Sequence, residues 1–250
     1  GVRRCGKENA PRLVLDAHLD EIGFIITGHE DGFLRFASLG GVDPRMLPDR
    51  EVTILTDPPM LGVVACLPPH VQSREDMDKS QPIQELFIDI GQSKEDAKKL
   101  VPVGTPAVYH TSCVPLGEDL ICGKSLDDRA CFAILLDTVQ RLAVENLDVD
   151  LYVVGSTQEE THSTGAITAA YGIIPDLCVA VDVTHGDSPD ASKDKTFRLG
   201  GGPVIGLGPN CARWMSQRLR DKARELDMDQ VMTIHRQIVE NDLRGPKGEL

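Results

Sequence analysis

A chain of 250 residues, 41% hydrophobic and 26% charged, has an ordinary globular composition and enough length for one large domain or two small ones. Its net charge of −13 argues against nucleic acid or an anionic membrane surface as partner, because both are polyanions that would repel it. No apolar run nears the ~18 residues of a membrane span, and the opening Gly1-Val2-Arg3-Arg4 lacks the apolar stretch of a signal peptide, so the expected location is the cytoplasm.

In chain order, a buried strand is expected over 12–17. It delivers the polar residues of Asp16-Ala17-His18-Leu19-Asp20-Glu21 at its end, and a second apolar run follows at 22–27. From Gly28 the pattern changes to short β-like runs at 32–36, 51–55, 61–65, 85–89 and 106–109, separated by turn residues. This spacing predicts a small β-rich domain over 28–109, inserted into a larger domain made of 1–27 and 110–250. Within the insert, 72–81 reads as an exposed loop and 93–100 as a short helix capped by Ser93.

After Gly123 the rhythm becomes helix and strand in alternation. A helix over 129–147 carries the apolar stripe Phe132, Leu135, Leu136, Val139 and Leu142; a strand at 151–155, a short helix at 165–171 and a strand at 177–183 follow. Another helix is expected over 209–226, with Pro209 near its start and charges along one face. The polar stretch 230–250 reads as the edge of a fragment. The fold class is therefore α/β, a mostly parallel central sheet flanked by helices, with an inserted β-rich domain. The seven cysteines are scattered and form no C-x-x-C pair, which fits reduced apolar residues better than a disulfide framework or a zinc knuckle.

Four groups of metal-type ligands stand at the ends of the predicted strands: His18-Leu19-Asp20, Asp127-Asp128, Glu159-Glu160 and Asp182. Sites form at the carboxyl ends of strands in open α/β sheets. Several carboxylates and an imidazole meeting there would repel one another unless cations neutralised them, and such donors suit zinc, cobalt or manganese. Each group alone has a plainer explanation. His18 can end a strand, one of Asp127 and Asp128 can cap the following helix, and adjacent acids such as Glu159 and Glu160 are commonly solvated. Asp182 is harder to explain away, since it sits in the apolar run 177–183, where a lone charge is costly.

The ordered string 16–23 (DAHLDEIG), 40–44 (GGVDP), 68–70 (PPH), 87–91 (FIDIG), 126–129 (LDDR), 158–160 (QEE) and 181–184 (VDVT) resembles the tetrahedral aminopeptidase family, over about residues 10–229. That family includes glutamyl and deblocking aminopeptidases, some once labelled endoglucanases. The resemblance implies a dinuclear metallopeptidase with two divalent ions, zinc or cobalt first and manganese also compatible. His18 and Asp182 would bind one ion, Glu160 the other, and Asp127 would bridge them. Glu159 would be the general base, Asp20 would fix the tautomer of His18, and Asp128 would set the backbone that aims Asp127. Expected substrates are peptides with a free N-terminus. The β-rich insert would correspond to the module through which family members form dimers and dodecamers.

The family pattern also has a last ligand histidine beyond the helix that here ends near Leu226. His235 stands too early and in the wrong context, and reads as a surface residue. The second ion would then keep only Asp127 and Glu160, fewer than the three protein ligands usual for catalytic zinc. The rival expectation is therefore an inactive or impaired subunit with an assembly role. A glycosidase reading is weak, because a sugar cleft is rich in aromatics and this chain has 4% with the single Trp214.

Overall fold

The computed structural model describes residues 1–71, 79–193 and 195–228, with the backbone of a final strand at 231–234. Strands β1 (Val2–Arg3) and β2 (Arg12–His18) come first, then β3 (Gly23–Glu30), β4 (Phe33–Leu39), β5 (Glu51–Ile54), β6 (Met60–Ala65) and β7 (Phe87–Asp89). Helix α1 (Lys94–Leu100), β8 (Pro106–Tyr109), β9 (Val114–Leu116) and β10 (Leu120–Cys122) follow. The remainder is α2 (Leu126–Leu142), β11 (Asp150–Ser156), the one-turn α3 (Glu159–His162), α4 (Thr164–Ile173), β12 (Leu177–Ala180), β13 (Val204–Leu207), α5 (Arg213–Glu225) and β14 (Val231–Ile234). These form two compact units, Gly1–His18 with Asp128–Leu250, and Leu19–Asp127. His235, the tail beyond it and most of the 72–81 loop lie outside the described residues.

The first unit is built on a four-stranded sheet in the order β1-β11-β2-β12. Strands β11 and β12 both run parallel to β2, and β1 adds antiparallel to β11. Helix α2 covers the sheet through a core of Ala17, Cys131 and Leu135, against which Leu15, Phe132, Val153 and Val181 pack. The outer strand β1 is anchored by Asp150, which accepts hydrogen bonds from Arg4 (2.6 Å) and from the Cys5 backbone N–H (2.9 Å). Elsewhere in the unit β13 pairs with β14, and Ser216 of α5 donates to the Gly206 carbonyl of β13 at 2.9 Å.

Helix α2 starts at Leu126, not at Arg129, so Asp127 and Asp128 lie inside its first turn, where the helix dipole favours acids. It ends at Leu142, short of the expected 147, because the ladder tightens to a three-residue turn from Ala143 N–H to the Gln140 carbonyl. The expected strand 177–183 pairs as β12 only to Ala180, leaving Asp182 beyond its end.

The second unit is a closed six-stranded barrel in the order β3-β4-β7-β6-β5-β8, with every pair antiparallel. Period-two alternation points Phe24, Ile26, Leu34, Phe36, Val52, Ile54, Val64 and Ile88 into one core. Phe24 meets Phe36 and Tyr109 edge to face, with ring centres 5.3 and 5.2 Å apart. Gly62 on β6 allows that packing, since a Cβ there would fall 2.5 Å from the Cγ2 of Ile88. Ser93 caps α1 as expected, accepting from the Asp96 N–H. The unit is wider than the 28–109 insert read from the sequence, because β3 begins at Gly23 and the β9–β10 hairpin belongs with the barrel. Among the described residues no helix is long and apolar enough to cross a membrane.

Candidate metal centre

Parallel pairing decides where the polar residues gather. His18 lies opposite Ser156 on β11, and Asp16 lies opposite Ala180 on β12, so the three strands run out at one end of the sheet. That end is where loops after parallel strands build sites. Strand β2 ends on His18 itself, β11 leads through Thr157 and Gln158 into α3 with Glu159 and Glu160, and β12 stops two residues before Asp182. Asp127 rides on the first turn of α2, the helix whose body covers the same sheet; the division between units falls inside that helix, after Asp127.

One ligand atom each from His18, Asp127 and Asp182 lies within 4.8 Å of the other two. The imidazole is buried and both acids are exposed. Two carboxylates this close repel each other, and a divalent cation would remove that repulsion. An imidazole nitrogen with carboxylate oxygens suits zinc, cobalt or manganese, and three protein ligands is the number found at catalytic zinc sites, so these residues fit a metal ion. Glu159 is beside them, its Oε2 3.8 Å from His18 Nε2. Asp128 is fully buried in the same turn as Asp127.

The group does not include Glu160, although α3 carries it next to Glu159. Asp20, half-buried, follows β2 in the segment that belongs to the barrel unit. Asp182 accepts the Val183 backbone N–H at 2.7 Å.

Several neighbours of the site have no role assigned from the sequence. Asp16 sits one residue before Ala17 with its Oδ1 buried and without a hydrogen-bond partner among the described residues, while Oδ2 accepts from the Ser156 hydroxyl at 3.1 Å. Burial raises its pKa, and the Ser156 hydrogen bond and His18 oppose that rise. Helix α3 stands between two left-handed residues, Gln158 (φ 62°) and Ser163 (φ 51°), a conformation that non-glycine residues keep only when their surroundings impose it. Gly165 supplies one such constraint. Its N–H donates to the Thr157 carbonyl at 2.9 Å, and a Cβ there would lie 2.3 Å from that oxygen. A glycine shortly after an acid pair was the available clue.

Residues 2–241 match the family model described as M42 glutamyl aminopeptidase. The chain is similar to the lysyl aminopeptidase of Pyrococcus furiosus, 32% identical over 226 residues that make up 88% of this chain and 63% of that protein. It is also similar to the glutamyl aminopeptidase of Lactococcus lactis, 29% identical over 206 residues, 79% of this chain and 57% of that one. This chain thus spans less than two thirds of either relative. Among solved structures, an aminopeptidase from the archaeon Desulfurococcus kamchatkensis superposes with a TM-score of 0.84 at 33% identity, covering 94% of this chain and 67% of that one. The TET1 peptidase of Pyrococcus horikoshii, which can assemble into a tetrahedron or a large octahedral shell, does so with a TM-score of 0.79 at 30% identity, covering 91% and 69%.

Proposed function

The chain belongs to the M42 glutamyl aminopeptidase family, and from that premise we propose that it is the metal-binding part of an aminopeptidase that removes N-terminal residues from peptides. The observation that carries the reading is the approach of His18, Asp127 and Asp182 to within 4.8 Å, with Glu159 beside the imidazole. In this reading His18 and Asp182 would hold one divalent ion, zinc or cobalt first and manganese also compatible. Glu160 would serve a second ion, and Asp127 would serve both. A bound cation supplies Lewis acidity, lowering the pKa of water and polarising the scissile carbonyl.

The protein's own part is positional and protonic. Glu159 accepts the proton of the attacking water and delivers it to the leaving amine. Asp20 holds the imidazole of His18 in one tautomer, and Asp128 fixes the turn that carries Asp127. The acids around the site attract the ammonium group of a free N-terminus, which limits cleavage to the first residue. The second position draws only Asp127 and Glu160 from the assigned residues, so the first ion is expected to bind more tightly. The barrel serves as the contact between copies, a homo-oligomer that builds from dimers towards a dodecamer.

Elemental analysis of the purified chain, before and after chelation, paired with a panel of aminoacyl chromogenic substrates, tests the reading. Chelation is expected to abolish turnover and reloading to restore it. Glu159→Gln should lower kcat by about 100- to 10 000-fold with little change in metal content. A wild-type chain that binds metal but cleaves none of the panel would favour an assembly role instead.

A further inference from the structure

One side-chain network flanking the metal ligands has no part in the roles assigned above. Glu21, three residues after His18, accepts from Lys124 Nζ at both carboxylate oxygens, 2.7 Å to Oε1 and 2.9 Å to Oε2. Its Oε2 also accepts the Ser125 hydroxyl at 2.6 Å, and Lys124 Nζ lies 3.5 Å from that same hydroxyl oxygen. Lys124 and Ser125 stand three and two residues before Asp127. The Glu21 and Lys124 side chains are only 15% and 27% exposed, so these charge-assisted bonds are shielded from water more than a surface pair would be.

The residue under the clamp is also the one that needs holding. Ser125 has φ 63°, the left-handed region, and the next residue begins α2. The core residues of α2 that pack on the sheet, Cys131 and Leu135, lie one and two turns beyond Asp127. Through the clamp, a short ring of residues runs from His18 to Glu21, across to Lys124 and Ser125, and on to Asp127.

We propose that Glu21 is a positioning residue, whose carboxylate fixes the backbone of 124–126 and so the placement of Asp127 with respect to His18. The proposal rests on the metal reading above, and it predicts a local effect where a plain stabilising ion pair would act on the whole barrel.

The full chain is compared as wild type, Glu21→Ala, Glu21→Gln and Ser125→Gly; Glu21→Gln serves should the alanine variant fail to fold. Amide exchange is followed in the metal-free protein, and Co(II) affinity is read from its visible absorption. Glu21→Ala should speed exchange over 124–128 by about 10-fold or more while the amides of Phe24, Val52 and Ile88 keep their protection. It should also weaken Co(II) binding by about 10- to 100-fold, the range for partners that orient a ligand. Glu21→Gln should fall between it and the parent. Ser125→Gly, which keeps the left-handed turn but loses the hydroxyl, should do less harm than Glu21→Ala. Unchanged exchange over 124–128, or loss of protection spread through the barrel, would overturn the proposal. Faster local exchange with Co(II) affinity unchanged would overturn it too. A wild type that takes up no Co(II) would instead sink the metal reading, and the exchange comparison would still show whether Glu21 fixes the turn.

Discussion

Gly165 shows how closely the backbone around Glu159 and Glu160 is fitted. A single methyl group at that position would lie 2.3 Å from one backbone oxygen and 2.5 Å from one backbone nitrogen of Thr157, neither of which can swing aside as a side chain can. Gly165→Ala is therefore expected to cost about 1–3 kcal/mol in urea unfolding, and to lower kcat more than it raises KM, because α3 would shift under Glu159. At this scale the sequence was informative at Asp182, an acid set in an apolar run, and at His18, a polar residue ending one, whereas Asp127 was equally explained as a helix cap. It was silent on partners. Glu21 and Lys124 are 103 positions apart, and nothing in the local pattern of either names the other.

Among the elements, β1 is two residues long and, among the described residues, pairs only with β11; bonds from the Arg3 guanidinium to the Leu142 and Glu145 carbonyls, and from Arg4 and Cys5 to Asp150, add to its attachment. The Arg4 guanidinium and the Cys5 N–H hold the Asp150 carboxyl below its ordinary range. A carboxyl depressed in the folded state contributes stability that is complete above the ordinary value of 3.8 and is lost as pH falls through the lower folded value. Asp150→Asn should thus lower the urea midpoint at pH 7 and differ less from the parent at pH 3. The strands of the barrel were legible from alternation, as in Phe24 and Ile26 or Val52 and Ile54. Its closure was not, because β3 meets β8 across most of the unit's length and alternation carries no pairing information. The start of α2 was misplaced for a related reason: an Asp pair before an apolar stripe reads equally well as a cap or as a first turn.

For the molecule as a whole, the alternating rhythm after Gly123 was enough to indicate a parallel sheet, but not the extent of each unit, which depends on contacts between distant segments. The outer face of β6 offers a test of the proposed contact between copies. Leu61 and Val63 point away from the barrel core and are 52% and 38% exposed. Leu61→Asp with Val63→Asp should leave the barrel folded and reduce the mass measured by light scattering; an unchanged mass would place the contact between copies elsewhere.

The clamp at Glu21 also bears on how a barrel can be carried within the sequence of another folded unit at all. The segments by which the chain enters and leaves the barrel are held within hydrogen-bonding distance of each other. Loop-closure entropy grows only with the logarithm of loop length, and here the ends are already joined. To the parallel sheet a whole inserted barrel therefore costs little more than a tight turn between two neighbouring positions.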